Sequence, residues 1–102
     1  MIEIKTKFVT RTTVRVLAYS YDDADALVDP TTSIKVTIYD PDDTKLIDGV
    51  AMTKESKGVY SYFYKTTVTS KTGRWRGEVV VIDGVTPNDY TSIGNFVFRL
   101  IK

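Results

Sequence analysis

Apolar and polar residues alternate one by one over long stretches of this chain. The cleanest example is residues 33–40, where Ile34, Val36 and Ile38 share one face, and residues 58–84 contain two such stretches joined by a polar turn. A period of two residues is typical of a β-strand, whose successive side chains point to opposite faces. The pattern therefore predicts strands, and no 3.6-residue period indicates a helix.

Turn-forming residues separate the alternating stretches at intervals of roughly 8–15 residues, a spacing typical of β-sandwiches and barrels. The predicted strands are residues 2–9, 12–21, 33–40, one bulged or two short strands over 46–47 and 50–53, then 59–68, 74–82 and 93–101. The sequence Asp40-Pro41-Asp42-Asp43 has the composition of a β-turn.

Length and charge limit the classes of partner that this chain can have. At 102 residues it is long enough for one domain, residues 1–102, with a single core. The 14 basic and 13 acidic residues leave a net charge of +1, which gives no field to recruit nucleic acid. No stretch reaches the roughly 18 apolar residues of a membrane span. We therefore expect no nucleic-acid partner and no membrane insertion.

The chain contains neither cysteine nor histidine. The missing cysteine excludes disulfides and thiolate metal sites, and the missing histidine removes the usual general base and zinc ligand. Ser56 as a nucleophile would have only Lys54 or Lys57 nearby in the sequence, with no supporting motif. We therefore expect no enzymatic activity and assign no catalytic residue.

Several short motifs resemble those of a known domain class. They are L-V-D-P at 27–30, I-x-V-x-I-Y-D-P at 34–41, G-x-Y-x-Y-x-Y at 58–64, T-G-R-W at 72–75, D-G at 83–84 and G-x-F-x-F at 94–98. From Thr12 to Leu100, the pattern resembles the immunoglobulin-like domains of phage, archaeal and bacterial surface or structural proteins, and it is similar to macroglobulin-like modules. The chain departs from the usual D-P-x-G turn, because Asp43 stands in place of the glycine.

The resemblance implies a fold and a class of function. The implied fold is all-β: an immunoglobulin-like β-sandwich of seven to eight antiparallel strands in Greek-key order, with strands 59–68 and 74–82 in opposite sheets. The implied function is a non-enzymatic structural or assembly module, a virion or cell-surface component that acts through protein–protein contacts. We expect a protein partner or self-association. The sequence leaves the compartment unknown, and a virion or the extracellular surface is favoured.

Outward-facing apolar side chains form the predicted contact surface. Residues 79–82 are apolar on both faces, so two of them point outward when Val79 and Val81 point inward. The predicted interface residues are Tyr39, Val80, Ile82, Val97 and Ile101 on one sheet and Leu17, Tyr19 and Phe63 on the other. Contiguous apolar patches often mark interfaces, although a flanking strand can equally cover them. The first and last strands are predicted sheet edges, which can also pair with another chain.

Aspartates are concentrated in two loops that share one end of such a sandwich. The candidate calcium ligands are Asp22, Asp23, Asp25, Asp83 and Asp89. Carboxylate oxygens are the ligands that Ca²⁺ prefers, but no D-x-D-x-D-G spacing is present. The alternative is that these aspartates form turns in a solvated acidic loop. No cofactor is expected unless Ca²⁺ occupies this site.

The alternative function is a carbohydrate- or ligand-binding module with this acidic, calcium-binding loop end. It rests on the seven tyrosines and Trp75, since sugar sites use exposed aromatic rings as platforms. We expect Tyr60, Tyr62, Tyr64 and Trp75 to lie in the core instead. Four tyrosines would then remain for a platform: Tyr19, Tyr21, Tyr39 and Tyr90.

Overall fold

A computed structural model of the protein describes residues 2–10, 12–22, 24–67, 70–84 and 90–101. Its strands are β1 (Ile2–Phe8), β2 (Thr13–Ser20), β3 (Ser33–Tyr39), β4 (Lys45–Ala51), β5 (Thr53–Ser56), β6 (Val59–Lys65), β7 (Gly73–Asp83) and β8 (Tyr90–Leu100). The predicted all-β class is confirmed. No helix in the described residues is long and apolar enough to cross a membrane.

The described strands form two antiparallel four-stranded sheets that pack against each other as a β-sandwich. Sheet 1 has the order β1-β2-β6-β5, and sheet 2 has the order β4-β3-β7-β8. Strands β6 and β7 therefore lie in opposite sheets, as expected. The stretch predicted as one bulged or two short strands, residues 46–47 and 50–53, lies mainly in the single strand β4, which pairs irregularly with β3, whereas β5 begins only at Thr53 and pairs with β6. The chain changes sheets at Met52, whose side chain is buried.

The core lies between the inner faces of the two sheets. Alternate positions on the strands point inward, and the buried apolar residues are Val14, Val16, Ala18, Ile34, Val36, Ile38, Met52, Trp75, Val79, Val81, Phe96, Phe98 and Leu100. Trp75 is 1% exposed, and its indole Nε1 donates to the Lys71 carbonyl at 2.9 Å. Tyr60, Tyr62 and Tyr64 pack against this core with part of each side chain exposed. The prediction that the four aromatic residues lie inward is thus confirmed.

Strands β7 and β8 are the longest, at 11 residues each, and they pair over their whole length. Gly77 lies opposite Phe96, whose ring occupies the space that a side chain at Gly77 would need. A glycine inside a strand normally weakens it because it has no side chain to pack, and here the cross-strand ring fills that space. This fit fixes the register of β8 against β7, and the register determines which side chains lie beside each other on the outer face.

The β2–β3 loop and the β5–β6 turn meet the end of β7 at one end of the sandwich. Asp29, between β2 and β3, accepts hydrogen bonds from Lys54 Nζ at 2.7 Å and from the Gly58 amide at 2.8 Å. The Thr31 amide donates to Asp83 Oδ1 at 2.9 Å. These bonds tie the β2–β3 loop to the β5–β6 turn and to the end of β7, so these two loops share one end, as predicted; residues 85–89 of the β7–β8 loop lie outside the described part of the chain.

Candidate interaction surface

Three apolar side chains adjoin on the outer face of sheet 2. Ile93 pairs directly with Val80, and Ile82 is the next outward residue of β7. Ile93 is 55% exposed, whereas Val80 and Ile82 are half-buried. Ile93 is missing from the predicted interface, although the alternation that places Val97 and Ile101 outward also places Ile93 outward.

Val97 lies farther along β8, beside a cation and an aromatic ring. It is 48% exposed and stands opposite Arg76. The Arg76 guanidinium lies 3.9 Å from the centroid of the Tyr39 ring, and Arg76 Nε donates to Asp43 Oδ1 at 3.0 Å. A cation over an aromatic face is a favourable contact, so Arg76 covers Tyr39 and the ring offers a partner little free surface.

A polar pair divides the predicted patch on sheet 2. Glu78, opposite Asn95, separates Ile93 from Val97, which are about 13 Å apart along the strand. Ile101 follows directly after β8 and is 79% exposed. The surface is therefore not the single continuous patch that we predicted. Its most exposed apolar side chains, Ile93 and Val97 on β8 and Ile101 just beyond it, are four residues apart.

The outer face of sheet 1 is less open. Leu17 is half-buried opposite Ser61, and the Lys5 ammonium lies 5.5 Å from the centroid of the half-buried Tyr19 ring. Phe63 is 53% exposed. Of the predicted residues on this sheet, Phe63 alone presents a largely free apolar side chain.

The acidic β2–β3 loop forms a hydrogen-bonded turn. Asp22 Oδ1 accepts bonds from the Ala24 amide at 2.9 Å and the Ala26 amide at 3.0 Å. Asp25 has a φ of 61°, a left-handed conformation that aspartate tolerates better than most residues. Both aspartates thus shape the loop backbone, which is the turn-forming role named above as the alternative to calcium binding.

The remaining candidate calcium ligands do not complete a metal site among the described residues. Asp83 Oδ1 accepts a bond from the Thr31 amide. The described part of the chain has no group of three or more histidine, cysteine, aspartate or glutamate residues arranged to hold a metal ion. Asp23 and Asp89 lie outside the described residues. Calcium binding therefore stays a prediction.

Asp29 is the best-bonded carboxylate at the loop end. The Lys54 ammonium and the Gly58 amide hold the pKa of Asp29 below its ordinary value of 3.8. Tyr60 donates its hydroxyl to the same carboxylate at 3.3 Å, and burial raises the pKa of Tyr60. Gly58 has a φ of 72°, and a Cβ there would lie 2.8 Å from the Val28 amide nitrogen. These contacts fix the two loops against each other, so the role of Asp29 is structural.

The β3–β4 turn is built on a second bonded carboxylate, at the opposite end of the sandwich. Asp40 is buried, and its Oδ1 accepts the amides of Asp42 and Thr44, each at 2.9 Å. Asp43, which stands where the D-P-x-G motif has glycine, adopts a φ of 64°. The turn predicted from composition is confirmed, and aspartate takes over the conformation that glycine adopts most readily.

Charge is sorted along the molecule, whose longest dimension is 43 Å. At the loop end, which we call the acidic end, Asp22, Asp25 and Asp83 have no cationic partner in the described residues. At the opposite, basic end, Arg74 and Arg99 stand directly opposite each other across β7 and β8. Lys7 and Lys65, which form no ion pair with the described residues, lie near the ends of β1 and β6 at the same end of the sandwich. The aspartates of the β3–β4 turn also lie at the basic end, where they pair with Lys71 and Arg76, and Lys57 partly offsets the acidic end, so the remaining charges of the two ends differ in sign.

The tyrosines left for a sugar platform are covered or half-buried wherever their side chains are described. Tyr19 lies below Lys5, and Tyr39 lies below Arg76. Tyr21 is half-buried, and the side chain of Tyr90 lies outside the described part of the chain. Carbohydrate binding therefore stays a prediction without a supporting contact.

Comparison of the chain with protein-family models, with curated proteins and with solved structures gives no match in any of the three. The function is therefore inferred from the fold and from the surfaces described above.

Proposed function

We propose that the chain is an immunoglobulin-like structural or assembly module, a virion or cell-surface component that acts through protein–protein contacts. The strand order supports the immunoglobulin-like assignment. Lettered A, B, C, C′, D, E, F and G in chain order, the strands form sheets A-B-E-D and C′-C-F-G, the grouping of that fold. A non-enzymatic role agrees with a chain that has no histidine and no cysteine. The virion or surface setting is inferred from the motif resemblance alone.

The observation that carries the proposal is the row of exposed apolar side chains on β8. Ile93, Val97 and Ile101 are each about half exposed or more, and they follow one edge strand. Proteins usually protect edge strands with charge, proline or a covering element, because an open edge invites pairing with another chain. Strand β1 packs against the inner side of β8, where Ile4 lies close to Gly94, and its Thr6 hydroxyl reaches the Val97 carbonyl, while the Ile93 and Val97 side chains on the outer side stay about half exposed. Such a surface is suited to a protein partner.

Site-specific photo-crosslinking tests this proposal in the organism that encodes the chain. A photoreactive phenylalanine analogue is placed at Ile93 or Val97, with Thr53 on the exposed β5 strand as the matched control position. We expect a protein adduct of discrete mass from Ile93 and Val97 and none from Thr53. The same diffuse background at all three positions would contradict a contact at this surface. An additional position, Phe63, reports whether sheet 1 takes part.

A further inference from the structure

We propose that the partner at this surface is a second copy of the chain, joined edge to edge through β8. The two β8 strands run antiparallel about a two-fold axis at Asn95, so that sheet 2 continues from one copy into the other. This inference rests on the proposed function, since it names the partner of the same surface.

The direction of the backbone groups on β7 is fixed by its bond to the neighbouring loop. The Ile82 carbonyl accepts a bond from the Thr32 amide at 3.1 Å, so Ile82 faces the β3 side. In an antiparallel strand, successive residues direct their N–H and C=O groups to opposite sides. Val81 therefore faces β8, where its partner is Ser92. It follows that even-numbered residues of β8 bond to β7 and odd-numbered residues face the other edge.

A contact with β1 agrees with this assignment. The Thr6 hydroxyl donates to the Val97 carbonyl at 3.5 Å from outside sheet 2, so this carbonyl points away from β7. The same alternation turns the N–H and C=O groups of Ile93 and Asn95 to the open edge. Among the described strands, β8 has β7 as its only neighbour in the sheet. The edge thus has regularly spaced donors and acceptors for one more strand, and the Val97 carbonyl, which already accepts the Thr6 hydroxyl, keeps a second lone pair for it.

An axis at Asn95 pairs the whole of β8 with itself. Strand β8 runs from residue 90 to residue 100, so residue 95 is its midpoint and all 11 positions find a partner. Ile93 then stands opposite Val97 of the second copy, and Arg99 stands opposite Thr91. Apolar residues meet each other, and no like charges are directly opposed, which is the favourable arrangement of cross-strand pairs. Because odd residues meet odd residues, each such pair exchanges two backbone hydrogen bonds.

The charge distribution favours this antiparallel arrangement over a parallel one. Each copy places its basic end, with Arg74 and Arg99, beside the acidic end of the other copy, with Asp22, Asp25 and Asp83. A parallel pair would bring ends of the same sign together. Exposed charges are screened over about 10 Å at 0.1 M salt, so high salt weakens the antiparallel pair.

Single cysteines test the register, because the chain has none of its own. In a hydrogen-bonded antiparallel pair the opposed Cα atoms are about 5.5 Å apart and the Cβ atoms are nearly as far apart, which exceeds the roughly 3.5–4.5 Å between the Cβ atoms of a disulfide but is within reach of a short thiol-specific cross-linker. The two Asn95 positions meet this condition at the axis. The two Thr91 positions lie eight residues out of register, about 27 Å apart along the strand.

The experiment treats the full-length Asn95→Cys and Thr91→Cys chains separately with a short bifunctional thiol cross-linker. We expect a cross-linked dimer from Asn95→Cys, a monomer from Thr91→Cys, and a cross-linked heterodimer when Thr91→Cys is mixed with Arg99→Cys. Equal cross-linking at Thr91 and Asn95, or none at Asn95, would overturn the pairing. Preferential cross-linking of Val97→Cys would overturn the axis at Asn95.

Sedimentation velocity tests the same dimer without a covalent bond. We expect the wild-type chain to dimerise as its concentration rises, and less so in high salt. Ile93→Lys should weaken dimerisation at least about tenfold, because each copy loses a buried apolar side chain. Phe63→Lys, an equally exposed apolar residue on the other sheet, should dimerise as the wild type does, and circular dichroism checks that both variants are folded.

Two outcomes separate this inference from the proposed function. Dimerisation of Ile93→Lys at wild-type strength would overturn pairing through β8. A wild-type chain that stays monomeric, while its Ile93 position photo-crosslinks to a different protein, would overturn the second copy as partner and leave the proposed function standing.

Discussion

Replacing Gly77 with alanine tests the β7–β8 register that decides which side chains face outward. Gly77 stands opposite Phe96, and the aromatic ring covers it. A Cβ on Gly77 would overlap the ring at Cζ and lie 2.7 Å from both Cε atoms, whereas ordinary contacts begin at 3.4 Å. The ring must therefore move away before alanine fits.

The expected cost follows from how tightly the ring is held. Phe96 is buried and stacks on Phe98 with ring centroids 6.5 Å apart, and Phe98 stacks on Trp75 at 5.7 Å. Overpacking a core costs about 1–3 kcal/mol. Alanine offsets about 0.4–1 kcal/mol of this, because it restricts the unfolded chain more than glycine does. We expect a net loss of about 1–2 kcal/mol, and each kcal/mol lowers the Tm of a domain of this size by about 4–8 °C.

Urea and thermal unfolding, followed by circular dichroism, measure this loss. The control is the same substitution in a Phe96→Leu background, where the smaller side chain leaves room for the Cβ of Ala at position 77 and the loss should shrink. An unchanged or raised midpoint for Gly77→Ala, or an equal loss in both backgrounds, would show that Phe96 does not cover Gly77. The β7–β8 register would then be wrong, and so would the outward direction assigned to the Ile93 side chain.

The other predictions concern the loops and the metal. Asp29→Asn should destabilise the protein at neutral pH, because the Lys54 ammonium lowers the pKa of Asp29 in the folded state below 3.8. Because the pKa of Asp29 is lower in the folded than in the unfolded chain, its carboxylate stabilises the fold above about pH 4, and this stability is lost as the pH falls through the pKa of the folded state. The Tm difference between wild type and variant should therefore vanish in acid. A Tm difference that does not depend on pH would refute this. Asp40→Ala should lower the free energy of unfolding in urea by about 1–3 kcal/mol, since two backbone N–H groups of its turn lose their acceptor. Asp40→Asn should lower it less, because asparagine keeps Oδ1. Equal losses for the two variants would contradict the role of these bonds. If the acidic loops bind Ca²⁺, the ion should raise the unfolding midpoint relative to chelator, and an unchanged midpoint would end that hypothesis.

The strands that carry the core were predictable, because a period of two converts directly into a buried and an open face. Ile34, Val36 and Ile38 were expected inward and are all buried. Strand β5 was not predictable, since all four of its residues are exposed and give no pattern. Its separation from β4 depends on the long-range pairing of β5 with β6, and one segment of sequence does not reveal such a pairing.

At the candidate surface, the direction of side chains was predictable and their neighbours were not. Tyr39 was correctly placed on an outer face, but Arg76 covers it, and this contact depends on the register between β3 and β7. The separation of Ile93 from Val97 by a polar pair likewise depends on the β7–β8 register. Cross-strand neighbours are set by both strands together, so the pattern along either strand alone does not determine them.

Residue-resolved amide exchange of the full chain at low and high concentration is the most direct test of association through β8. The amides of Ile93, Asn95 and Val97 should exchange quickly in dilute solution and become protected as the concentration rises. The amides of Phe96 and Phe98, which face β7, should be protected at both concentrations. Odd-numbered β8 amides that exchange equally fast at every concentration would contradict pairing of this strand with a second copy.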